Sequence, residues 1–210
     1  MPAGVTAATQ VPPNPWGDRR RRSVGLLGGS FNPAHAGHRH VAETALTRLG
    51  LDEVWLLVSP QNPLKPVAGM ASLAERMASA QGIAGRQRRI RATAIEQSLG
   101  TRYTADTLSA LRRRFPRSRF VWLMGADNLL QVSRWQRWPD IFRAAPVAIL
   151  ARGPYSQRAL AAKAARRFAR YRIAAGPARG LAGRRPPVWV FLHTRLHPAS
   201  ATAIRAARHY

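Results

Sequence analysis

Five short apolar runs, separated by stretches with helical spacing, limit the folds open to this chain. They are Val24–Leu27, Val54–Val58 (VWLLV), Phe120–Met124 (FVWLM), Val147–Leu150 and Val188–Leu192 (VWVFL). Near-continuous apolar runs of this length read as strands buried on both faces. Between them, Val41, Ala42, Ala45, Leu46 and Leu49 repeat at helical spacing, and Leu73–Ile83 reads as a helix with Met77 and Ala80 inward. Tyr103–Phe115 reads as a helix ended by Pro116, Trp138–Ala144 as a short helix and Ser156–Ala169 as a longer one. Arg88–Ala94 reads as a further short strand, Ala174–Pro187 as a loop with three Gly and three Pro, and Ala201–Ala207 as the start of a last helix. Strands alternating with helices imply an α/β protein with a doubly wound parallel sheet in a single domain.

Composition narrows the chemistry. A length of 210 residues suits one domain, over 23–210, preceded by a tail: residues 1–22 are rich in Pro, Ala, Gly and Arg without periodicity. With no cysteine, disulfides and thiolate metal sites are excluded. No apolar stretch reaches the roughly 18 residues of a membrane span, and no signal core follows the arginines at 19–22, so a cytoplasmic setting is expected. The net charge is +25, but Lys65 and Lys163 are the only lysines, and the arginines are scattered. The arginines read as a solvated surface that attracts anionic nucleotides, and a sequence-specific nucleic-acid partner is not required. A homo-oligomer is compatible with all of this.

In a doubly wound sheet, ligands bind beyond the carboxyl ends of the strands. Four polar segments follow strands here: Gly28–His38 (GGSFNPAHAGH), Ser59–Lys65 (SPQNPLK), Gly125–Asp127 and Ser200–Arg205. In the first, glycine backbone, a helix start and two histidines three residues apart coincide. Glycines let amides approach a ligand, and a helix N-terminus offers unpaired N–H groups to an anion. That combination suits a polyphosphate. Plainer roles exist for each residue. His38 could serve only as a helix-start histidine bonded to backbone, Lys65 as a surface lysine, and Asp127, Ser200 and Thr202 as helix caps. Thr104 and Asp106 fit a cap and a first-turn acid equally well, and His40 reads as structural.

The same segments resemble the nicotinate-nucleotide adenylyltransferase family of the H-x-G-H nucleotidyltransferases. The resemblance is carried by GGSFNPAHAGH at 28–38, NPLKP at 62–66, YTADTL at 103–108, GADNL…W from Gly125 to Trp135 and SATAIR at 200–205. It implies a Rossmann-like fold, and transfer of the adenylyl group of ATP to nicotinate mononucleotide. Deamido-NAD and pyrophosphate would be the products. His35 and His38 would be catalytic donors to the ATP phosphates. Gly28, Gly29, Ser30, Phe31, Lys65, Gly125, Asp127, Ser200, Thr202 and Arg205 would bind ATP. Asn32, Thr104, Asp106 and Trp135 would frame the acceptor, with the Trp135 indole on the pyridine ring. Ala201 stands where many relatives carry a second hydroxyl. No protein-built metal site is expected; Mg²⁺ would arrive on ATP, held by phosphates and water. Pantetheine-phosphate adenylyltransferases are the nearest alternative, but their pattern usually has Thr at the place of His35 and lacks the 103–108 and 125–135 segments. An arginine-rich nucleic-acid binder would explain the charge but not the H-x-G-H turn.

Overall fold

A computed structural model of the chain describes residues 14, 16–60, 69–151 and 156–194. Seven parallel strands form one sheet. In chain order they are β1 (Arg22–Gly29), β2 (Glu53–Val58), β3 (Ile90–Thr93), β4 (Ser118–Gly125), β5 (Val147–Ala151), β6 (Arg172–Ile173) and β7 (Trp189–His193). Across the sheet they run β3-β2-β1-β4-β5-β7-β6. The chain winds outward from β1 in one direction, then returns to start β4 on its other side. That reversal puts the crevice expected to hold a ligand between the carboxyl ends of β1 and β4.

The helices cover both faces. Helices α1 (Ala36–Arg48) and α2 (Leu73–Ala84) pack on one side with Leu27, Leu56, Val58 and Leu150. On the other side lie α3 (Ile95–Leu99), α4 (Thr104–Arg114), α5 (Ala126–Gln131), α6 (Trp138–Ala144), α7 (Ser156–Leu160) and α8 (Lys163–Arg167). These cover Val24, Leu26, Trp55, Trp122, Ile149 and Trp189. Successive strand residues therefore enter opposite cores, and each run has to be apolar throughout. Burying one Leu, Val or Ile side chain stabilises the fold by about 1.5–3 kcal/mol, so the two cores supply most of the driving force. Among the described residues no helix is long and apolar enough to cross a membrane.

Two expectations are corrected. The first strand begins at Arg22 rather than Val24, so the boundary placed after residue 22 falls inside the sheet. Arg22 is buried, donating to Asp18 Oδ2 at 2.7 Å and to Glu53 at 3.3 Å, with its guanidinium 5.1 Å from the Trp55 ring centroid. The helix read over Ser156–Ala169 is broken into α7 and α8. Phe168 stacks on Phe142 at 4.5 Å, and its carbonyl accepts from Trp189 Nε1 at 2.8 Å. Tertiary packing thus overrides alanine-rich helix propensity. The loop after residue 173 contains two short 3₁₀ turns, and β6 lies just before it, too short to show a pattern in the sequence. The helix expected at Ala201–Ala207 lies outside the described residues.

Candidate active site

The turn after β1 carries the densest set of site features. Its shape follows from packing as much as from ligand access. A Cβ at Gly28 would come within 2.6 Å of Trp122 Cη2, so the glycine makes room for the indole of the neighbouring strand. Phe31 follows in left-handed backbone, φ +49, with its ring almost fully buried. A non-glycine residue there costs on the order of 1–3 kcal/mol and persists only where the surroundings hold it.

His35 caps α1. Its Nδ1 accepts from the Gly37 amide at 3.1 Å, while His38 Nδ1 accepts from the His35 amide at 3.2 Å. The two imidazoles thus form a reciprocal cap, the role usually taken by Ser and Glu. An Nδ1 that accepts a hydrogen bond carries no proton. Each neutral ring must then be protonated on Nε2, which is a donor. The rings lie 3.9 Å apart between centroids, and His38 lies 4.8 Å from Phe31. His35 is 5% exposed and His38 half-buried. The plain role weighed for His38, backbone bonding at a helix start, is therefore real, and it fixes the tautomer a phosphate donor needs.

Asn32 clamps the turn to the segment before α2. Its Nδ2 donates to the Gly69 carbonyl at 3.1 Å and its Oδ1 accepts from the Ala71 amide at 3.2 Å. Ala34 N–H donates to Ser79 Oγ at 3.0 Å. At the end of β4, the Asp127 carboxylate folds back over Gly125, where a Cβ would lie 2.2 Å from Asp127 Oδ1. Asp127 thus stands at the carboxyl end of β4, across the crevice from the Gly28–Gly29 end of β1. Lys65, Ser200, Thr202 and Arg205 lie outside the described residues.

The YTADTL segment and the Trp135 turn meet on the other face. Thr104 opens α4, and Tyr103, rather than Thr104, is its cap. Asp106 Oδ1 pairs with Arg137 Nη1 at 2.8 Å, and Arg137 also reaches Asp140 Oδ2 at 3.1 Å. Arg137 has φ +51 and lies two residues after the half-buried Trp135. The pair therefore ties YTADTL to the Trp135 turn.

Two residues of this region were not expected from the sequence. Arg76, on α2, is 2% exposed and donates to four backbone carbonyls. Burial without a carboxylate partner pulls its guanidinium below the usual arginine range. Its signal was positional: Arg76, Ala80 and Ala84 are the buried stripe of α2, spaced by four. Glu96, on α3, accepts from the Thr107 hydroxyl at 2.9 Å. Burial pushes its carboxyl up to about 7, against the lowering effect of that hydrogen bond. Among the described residues no three His, Asp or Glu side chains are grouped as metal donors.

The family model described as cytidylyltransferase-like matches residues 26–207. A Bradyrhizobium sp. (strain ORS 278) protein named "Probable nicotinate-nucleotide adenylyltransferase" is 52% identical over 182 residues, covering 87% of this chain and 94% of that protein. A Cereibacter sphaeroides protein of the same name is 54% identical over 183 residues, covering 87% and 96%. The structure of the Plasmodium falciparum nicotinic acid mononucleotide adenylyltransferase complexed with APC has a TM-score of 0.64. It shares 14% identity and covers 89% of this chain and 83% of that one, a likeness of fold. The fold, the histidine-capped turn and these matches place the chain in the nicotinate-nucleotide adenylyltransferase family.

Proposed function

We propose that this chain joins ATP to nicotinate mononucleotide. An oxygen of the acceptor phosphate attacks the α-phosphorus of ATP and forms the new P–O bond. The bond from the α-phosphorus to the α,β-bridging oxygen breaks, and pyrophosphate leaves with its electrons. No protein nucleophile is needed, because holding both phosphates in line and stabilising charge account for the catalysis. The observation that carries this reading is the reciprocal His35–His38 cap. It leaves Nε2 of both rings as the donor, at the N-terminus of a 13-residue helix. Such donors favour the charge that develops on the phosphate oxygens.

The remaining roles follow from position for the described residues and from the family motifs for the others. The Phe31 amide and its neighbours bind phosphate. Asp127 accepts from ribose hydroxyls. By motif, Lys65 brings a point charge to the phosphates, Arg205 meets the β- and γ-phosphates, and Ser200 and Thr202 add hydroxyls. Trp135 stacks on the pyridine, and the turn tied by Asp106 and Arg137 frames its carboxylate. The ATP arrives as its Mg²⁺ complex, the ion held by phosphate oxygens and water.

His38→Ala tests the reading. It removes one donor to the reacting phosphates, and kcat should fall by about 10²–10³ while the protein stays folded. Near-normal turnover in the folded variant would remove His38 from the site.

A further inference from the structure

The β1–β2 ladder stops one rung early. Gly29 pairs with Val58, and the Ser59 amide still donates to the Gly29 carbonyl at 3.0 Å. In parallel register the next rung would join the Phe31 amide to the Ser59 carbonyl. That bond is not made among the described residues. Arg76 Nη1 takes the Ser59 carbonyl instead at 2.6 Å, and the Ser30 carbonyl at 2.9 Å. Arg76 Nη2 donates to the Pro60 carbonyl at 2.9 Å, and Nε to the Ala71 carbonyl at 3.0 Å. All nine acidic residues of the chain lie among the described residues, and none pairs with Arg76. A buried guanidinium that binds only carbonyls, from three separate segments, is costly unless the backbone geometry needs it.

That geometry has a direct consequence. In a planar trans peptide the C=O and the following N–H point in opposite directions. Holding the Ser30 carbonyl inward turns the Phe31 N–H outward, away from Arg76. Phe31 itself lies in left-handed backbone. We propose that Arg76 is a positioning residue for nucleotide binding: by capturing the Ser30 and Ser59 carbonyls it ends the β1–β2 ladder and aims the Phe31 amide at the ATP phosphates. The proposal rests on the phosphate site read above.

Arg76→Lys keeps the charge and loses the planar fork, and Arg76→Ala leaves a cavity the size of a guanidinium ion. In steady-state assays with ATP and nicotinate mononucleotide, Arg76→Lys should raise the KM for ATP by about tenfold, the scale of one hydrogen bond to a charged group. The KM for the acceptor should rise less, because Arg76 reaches the acceptor-framing residues indirectly, through Ala71 and Asn32. Added guanidinium should lower the ATP KM of Arg76→Ala. A merely structural arginine would instead lower the folded fraction, and so kcat, with both KM values unchanged. That pattern, an unchanged ATP KM in Arg76→Lys, an equal rise in both KM values, or failure of Arg76→Lys to fold would each overturn the proposal. His38→Ala assayed alongside separates the two ideas. If it retains turnover, the site reading fails; if it loses turnover while Arg76→Lys keeps its ATP KM, only the role of Arg76 falls.

Discussion

At the residue scale, three side chains do what their type rarely does. A histidine pair replaces the usual Ser–Glu capping box at the start of α1, and each neutral ring is left protonated on Nε2. Glu96 is a carboxyl held in a site that disfavours its charge, with Thr107 as its hydrogen-bond donor. Its folded value of about 7 lies above the 4.5 it has when exposed, so the folded state binds the proton more tightly. The stability this gives is fully present below about pH 4.5 and is lost as pH rises through 7. The change is on the order of 3 kcal/mol. Glu96→Gln should remove that dependence. The difference in unfolding free energy between variant and wild type should grow from pH 4.5 to pH 8 in favour of the variant. Parallel pH–stability curves from denaturant titrations would refute a buried, proton-holding Glu96.

Elements were legible where one physical signal sufficed. The five apolar runs gave the strands because a sheet covered on both faces needs apolar residues at every position, and each run lies within a strand or overlaps it by all but its first residue. The two-residue β6 and the break between α7 and α8 were not legible, because Trp189 and Phe142 decide them from elsewhere in the chain. In the site, the glycine–histidine turn stood out by its spacing. Arg76 did not, since an arginine in an amphipathic helix reads as surface until its carbonyl partners are known. Gly28 shows how a motif glycine can serve the element. Gly28→Ala would drive a methyl group into Trp122 at the end of β1. The overpacking should cost about 1–3 kcal/mol. The smaller ring in Gly28→Ala/Trp122→Phe should recover part of it beyond the sum of the single changes. Thermal unfolding reads this, and strictly additive Tm changes would argue against the contact.

On the scale of the whole molecule, the sheet sorts stability from chemistry. The amino edge of β1 carries the buried Arg22 with Asp18, Glu53 and Trp55, and the carboxyl edge leads into the histidine-capped turn. The N-terminal region should divide accordingly. Removing residues 2–13 should leave kcat and Tm unchanged, whereas removing residues 2–22 should lower Tm, because Glu53 and the Trp55 ring lose the buried Arg22 guanidinium. Equal Tm values for the two truncations would contradict that division. The central proposal is adenylyl transfer from ATP to nicotinate mononucleotide. The most direct measurement supplies ATP with nicotinate mononucleotide, nicotinamide mononucleotide or a phosphopantetheine acceptor, and follows pyrophosphate together with the mass of the adenylylated product. One pyrophosphate should form for each deamido-NAD, with nicotinate mononucleotide the preferred acceptor. Equal or better use of nicotinamide mononucleotide or the phosphopantetheine acceptor, or release of orthophosphate without a dinucleotide product, would contradict it.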